Sequence, residues 1–237
     1  MSVNMDAVLA EWKARTLAEY RCASVTGELL LWLMRLGFSS EIIQQCHKVL
    51  GEELEHSDIC WEVYATLGGE DDPLECAEGS LVIPHAYGEP AFDRLVLFVI
   101  DHFCIGETLA APLFAAMTEK VSKAGPKTAV KRLAKDTAGH REFGWAVLDE
   151  AIEQDDAYVL NLAKKHIPTF LTRVETAWGY IPDGWKEPVG PEEGKFGLIP
   201  RAVYKRIFYQ EIAESVLPEL DARNLPGREA WSKRKKR

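Results

Sequence analysis

Two long helical runs joined by a break of a few residues, a connection of about twenty residues, then two more helical runs joined by another short break: this alternation most constrains what the chain can fold into. The first run extends from about Asp6 to Leu36, with apolar residues at Val8, Leu9, Trp12, Leu17 and Tyr20 and a dense block from Leu29 to Met34. Gly37-Phe38-Ser39-Ser40 breaks it and offers a serine N-cap to a second run, which ends at Gly68-Gly69. From there to Pro90 the stretch EDDPLECAEGSLVIPHAYGEP, rich in Pro, Gly and acids, reads as a connection. A third run covers about Ala91 to Lys123. It gives way at Gly125-Pro126, where proline suits the first position of a fourth run reaching about Gln154. Asp155-Asp156 caps a fifth run that ends near Trp178-Gly179. Tyr180 to Pro200 reads as loop, and a sixth run follows to about Leu220.

Short breaks make antiparallel hairpins of runs one and two and of runs three and four. A connection of about twenty residues reaches up to ~70 Å at roughly 3.3 Å each, whereas a helix of about thirty residues is only about 45 Å long. The connection can therefore run the full length of a bundle. The expectation is an all-α fold: a four-helix bundle over residues 1–156, built as two hairpins with one long crossover, and a C-terminal helical extension over 157–237 packed on it. A generic helical protein with a long surface loop is the alternative topology.

Composition narrows the function classes. A hydrophobic fraction of 47% with 27% charged residues suits an ordinary globular protein. The net charge of −9 argues against a general nucleic-acid binder, which needs a basic surface. Lys233-Arg234-Lys235-Lys236-Arg237 is the one basic segment, read as a solvated tail with a localisation or anionic-partner role behind it. No apolar run reaches the roughly 18–20 residues that span a bilayer, and the N-terminus lacks a signal-peptide core, so a cytoplasmic protein away from membranes is expected. Cys22, Cys46, Cys60, Cys76 and Cys104 form no CxxC pair, which excludes a zinc ribbon and makes a poor disulfide framework.

Candidate ligands sit on each of the first four runs. In GEELEHSD, Glu53 and His56 are three apart and project from one helix face, so both can reach one ion. Taken alone, a solvated face explains that pair better than a metal site does. Glu107 lies mid-helix in the apolar stretch FCIGETLAAPLF, where a buried carboxylate costs several kcal/mol unless paired or metal-bound. His140 lies in AKDTAGHREFGW with Asp136 one turn earlier, and the first run offers Glu19 and Glu28. Carboxylate and imidazole together suit iron or manganese. Counting from the turns, Glu53 and His140 each lie about fifteen residues after a turn, while Glu107 and Glu19 lie about eighteen and nineteen before one. Glu28 is only about ten before its turn and points about 180° away from Glu19. Glu19 is therefore the expected first-run ligand and Glu28 the reserve.

With LGFSSEII, GEELEHSD, CIGETLAAPL and DTAGHREFGW, the chain from about Glu19 to Trp145 resembles the ferritin-like diiron-carboxylate superfamily. The later KFGLIPRAVYKRIF through REAW is similar to the tail of a bacterial subgroup of ferritin-like proteins. In the family pattern two helices each give one Glu and two others each give Glu-x-x-His. The resemblance implies Glu19, Glu53, His56, Glu107 and His140 as metal ligands, two iron ions with manganese as the other candidate, and an oxidase or oxygenase activating dioxygen to oxidise a small organic substrate.

The departure is Thr137, which stands where the resemblance expects a glutamate three before His140. A neutral hydroxyl substitutes poorly for an anionic ligand. Asp136 resembles an acid that orients a histidine from behind, and at i,i+4 to His140 it could also swing in as a replacement. Thr137 and Asp136 are thus the residues on which catalysis is expected to turn. Three states stay open: a lopsided two-metal site with an open position lined by Thr137, a single-metal site, or a site that no longer works. No rubredoxin-like cysteine cluster or flavin motif is visible, so electrons would come from a partner, a reductant or the substrate. Iron storage is an alternative that the ~80 residues after the fourth run disfavour. A non-catalytic helical protein acting through a partner is another, for which Thr137 argues. A homodimer is left open, and the substrate is not legible, since fold does not dictate function.

Neighbouring residues complete the expectation. Cys22, Cys60 and Cys104 fall on the ligand side at helical spacing and read as small core residues. Pro112, five residues beyond Glu107, predicts a kink. Trp32, Trp61, Phe103, Phe114, Phe143 and Trp145 read as core, and His47, His85, His102 and His166 as ordinary.

Overall fold

The structure, a computed structural model, describes residues 3–70, 81–84 and 91–234. Among the described residues every regular element is helical and none is a strand. Helix α1 (Met5–Arg35) starts where the Asn4 side chain accepts the Ala7 amide, and α2 (Ser40–Thr66) starts where the Ser39 hydroxyl accepts that of Ile42. Helix α3 (Ala91–Lys120) opens as Ala91–Phe98, widens into a π-helical stretch over Val99–Glu107, and resumes as Thr108–Lys120 with Pro112 inside it. Helix α4 (Ala124–Gln154) begins two residues before Pro126. That proline stands within the first turn, where its missing N–H has no intrahelical partner to lose, rather than at the first position.

Helix α5 (Asp156–Val174) is capped by Asp155 and ends in a π-helical turn, Glu175–Gly179. The stretch expected as loop holds a one-turn helix, α6 (Pro191–Gly194). Helix α7 runs Arg201–Glu211, π-helical Ile212–Val216 and Leu217–Ala222, and α8 (Gly227–Lys233) follows, ending at the first residue of the basic segment. The expected crossover lies mostly outside the described residues.

The chain divides into two compact units: Met1–Pro84, Phe114–Asp136 and Lys186–Pro200 form the first, and His85–Leu113, Thr137–Trp185 and Arg201–Arg237 the second. The division does not fall at residue 156 as expected, because α3 and α4 are long enough to give one end to each unit.

In the first unit α1 and α2 form an antiparallel hairpin. Cys46 Sγ donates to the Thr26 carbonyl near the turn and Ser57 Oγ to that of Thr16 further along, and Val8, Trp12, Leu29, Leu33, Val49 and Val63 bury the seam. Lys186–Pro200 then ties off helix ends. Trp12 Nε1 donates to the Phe196 carbonyl at 3.1 Å, Arg15 to that of Gly197 at 2.9 Å, and the amides of Ser122 and Lys123 to that of Lys195. Glu193 accepts the amides of Asn4 and Gly190, and those bonds hold its carboxyl below the usual range. Gly197 has φ +86, a conformation that glycine adopts without strain.

In the second unit α3 and α4 meet closely. Phe103 and Phe143 pack edge to face with centroids 5.1 Å apart, and Trp145 Nε1 donates to Thr108 Oγ1 at 3.2 Å. A Cβ on Gly144 would stand 2.3 Å from the Cβ of Phe103, so only glycine permits this approach. Two expectations are corrected here. By length and composition α3 does suffice to cross a membrane, although 67% of its apolar window is buried in the protein, as in a core helix. Trp61 is 38% exposed beside Tyr64 and Phe114 is half-buried, so neither belongs to the core.

Candidate metal centre

Within the first unit, α2 carries Glu53 and His56 on one face and α1 brings Glu19 to them. One ligand atom from each lies within 4.8 Å of the other two. His56 Nδ1 is 3.7 Å from Glu19 Oε2 and 3.9 Å from Glu53 Oε2. Glu53 is 2% exposed and His56 1%. The other imidazole nitrogen, Nε2, lies 3.1 Å from Asp136 Oδ2, and that oxygen lies 2.6 Å from Arg132 Nε. Arg132 also donates to Glu55 at 2.7 Å. A carboxylate behind an imidazole fixes its tautomer and ring angle, here aiming Nδ1 at the two glutamates.

The electrostatics of this set call for positive charge, from protons or from an ion. Burial pushes the Glu53 carboxyl well above the ordinary range, and the charge and hydrogen bond of Glu19 push it further. Burial by itself would lower His56. The hydrogen bond and charge of Glu19, with Glu53 and Asp136 behind it, outweigh that and lift the imidazole to about 9. The metal-free cluster therefore keeps protons among its carboxylates and its ring. A divalent ion supplies the same compensation in their place. Two carboxylate oxygens and one imidazole nitrogen form a donor set that fits iron or manganese.

The second unit holds a plainer pair. Glu107 closes the π-helical stretch, and its Oε2 lies 4.0 Å from Nδ1 of the buried His140 on α4. A π-helical insertion turns the residues after it by about 100° relative to an α-helix and is frequent at functional sites. Thr137, three before His140, is 2% exposed, so α4 buries a hydroxyl where a carboxylate was expected.

The other sequence candidates find different places. Glu28 accepts the Ile83 amide at 2.6 Å, so it anchors the connection, while Glu19 faces His56. Asp136 belongs to His56 on α2 rather than to His140 four residues along its own helix. Arg132 was missed; its signal was the i,i+4 spacing to Asp136. Cys60 and Cys104 are fully buried, and burial pushes both thiols far up, as it pushes Cys46 to about 12. They stay protonated core residues, without thiolate character. His102 packs against Phe98 and Phe103, and burial, then Lys165, lowers His166. His85 and Cys76 lie outside the described residues. No family model, curated protein or solved structure matches this chain.

Proposed function

We propose that the chain is a ferritin-like diiron-carboxylate protein, cytoplasmic, that binds iron or manganese and oxidises a small organic substrate with dioxygen. The observation that carries this reading is the set of Glu19 with the buried Glu53 and His56, with Asp136 behind the imidazole. A bound iron or manganese ion supplies the one-electron chemistry with dioxygen that no side chain can. Glu19 and Glu53 balance its charge. His56 gives a neutral nitrogen donor, and Asp136 holds that ring with Nε2–H donating backward so that Nδ1 stays available. Glu107 and His140 give a second carboxylate and imidazole. Thr137 offers no anionic ligand, so a metal held by Glu107 and His140 would have room for water, dioxygen or substrate. Electrons come from a partner, a reductant or the substrate itself.

Thr137 also favours a second reading, a non-catalytic helical protein with a degenerate site. Metal analysis of protein from iron- and manganese-supplemented cells, repeated after reconstitution, separates the two, with oxygen consumption measured on the loaded protein. About one ion per chain counts the first set alone, and about two count both pairs. Absence of metal after reconstitution rejects the oxidase and leaves the second reading standing.

A further inference from the structure

The basic segment near the C-terminus does more than solvate the end of the chain. Its first two residues, Lys233 and Arg234, join α5 in lining a cavity of about 590 Å³ in the second unit, opposite Thr169, Thr172, Arg173 and Thr176. Three cations and three hydroxyls face this space, and no carboxylate lines it.

Each cation is held in place from outside the cavity. Arg173 pairs with the buried carboxylate of Asp101, and Lys233 pairs with Glu229. Arg234 bonds Glu175 at 2.8 and 3.0 Å, and its guanidinium carbon lies 3.4 Å from the centroid of Trp231. These anchors pre-organise long side chains that would otherwise lose entropy on meeting a ligand. Guanidinium groups match the geometry of phosphate oxygens, and lysine adds a point charge.

The hydroxyls narrow the class. Thr172 Oγ1 donates to the Pro168 carbonyl at 2.8 Å and Thr176 Oγ1 to that of Thr172 at 2.9 Å. With their protons committed to the helix, they present oxygen lone pairs to the cavity and suit a ligand that brings its own hydroxyl donors. The volume lies within the range of small-molecule sites and far exceeds one phosphate ion. We propose that this cavity binds a phosphorylated polyol of the sugar-phosphate class, its phosphates on Arg173, Lys233 and Arg234 and its hydroxyls on the threonine oxygens.

Isothermal titration of the full chain with fructose 1,6-bisphosphate, inorganic phosphate and fructose tests this. The bisphosphate is expected to bind at least tenfold tighter than phosphate, and fructose not to bind. Lys233→Gln and Arg173→Gln should each weaken the bisphosphate about tenfold, while Lys205→Gln, outside the lining, leaves it unchanged. Thr176→Val should weaken the bisphosphate several-fold and leave phosphate unaffected. Arg173→Gln also strips Asp101 of its partner, so if that variant melts early Lys233→Gln and Thr176→Val decide. No saturable binding, phosphate as tight as the bisphosphate, or binding indifferent to both Lys233→Gln and Thr176→Val overturns the proposal.

Discussion

The two units each set a carboxylate against a buried imidazole, and they differ in charge. In the first, Glu19 and Glu53 stand together beside His56, and a third carboxylate, Asp136, waits behind the ring. Two adjacent carboxylates, one of them fully buried, do not both ionise unless a proton on His56 or an ion balances them. In the second, Glu107 meets His140 with Thr137 where a further carboxylate was expected. Thr137 therefore removes more than a ligand. It removes part of the negative charge that would attract a metal, so on the proposed reading the first set is expected to bind an ion more tightly.

The sharpest way to break this comparison is to equalise the charge from the other side. Glu53→Gln keeps the shape of the first set and deletes one buried charge. Metal content should fall by about tenfold or more, since an anionic ligand to a hard cation is gone. In the metal-free protein the melting temperature should change little, because burial and Glu19 already keep the Glu53 carboxyl protonated and glutamine keeps its shape. A variant that loses metal and also melts lower would mean that Glu53 is mainly a structural partner of His56.

Asp136→Asn acts one step back. The imidazole keeps a hydrogen-bonding partner but loses the negative charge that polarises it, and affinity should drop roughly 10–100-fold in a chelator-competition titration. Stoichiometry should recover at high metal, which separates Asp136 from Glu53. Thr137→Glu works in the second unit. It should cost the metal-free protein several kcal/mol, because the new carboxylate is buried. Added iron should restore that stability and raise metal content by up to about one ion per chain. If neither changes, the difference between the units does not reside in residue 137.

How much of this was legible depended on whether the information was periodic. Helix ends were, because Ser39 and Asp155 announce caps and Gly37 and Gly68 announce stops. Glu19 could be chosen over Glu28 by counting from the turns, since hairpin geometry converts residue number into depth. Asp136 was legible as an acid behind a histidine but not behind which one, because spacing along one helix pairs it with His140, whereas its partner, His56, sits 80 residues away on another helix. The π-helical stretch before Glu107 left no sign, because VIDHFCIGE satisfies α-helical periodicity equally well. Lys186–Pro200 looked like loop for the opposite reason: its role lies in carbonyls and amides that receive Trp12, Arg15 and the turn before α4, and backbone groups are the same for every residue. The unit boundaries were hidden because they cut through α3 and α4 rather than between elements.

The units also differ in how closely their helices approach, and two glycines measure it. A Cβ on Gly27 of α1 would meet only Leu50 Cδ1 at 3.9 Å, an ordinary contact. Gly27→Ala should therefore stabilise the protein by about 0.5–1 kcal/mol, the usual return for alanine inside a helix. A Cβ on Gly144 of α4 would meet the Cβ of Phe103 at 2.3 Å and the carbonyl carbon of Phe103 at 3.0 Å. Backbone cannot yield as a flexible side chain can, so Gly144→Ala should cost about 1–3 kcal/mol. Phe103 lies in the π-helical stretch that ends at Glu107, so pushing α3 away should also lengthen the 4.0 Å approach of Glu107 to His140. The expected result is opposite signs in denaturant melts, with metal weakened only in Gly144→Ala. Equal and small effects would mean that both hairpins have the same slack, and the tight second-unit seam would lose its part in shaping the Glu107–His140 pair.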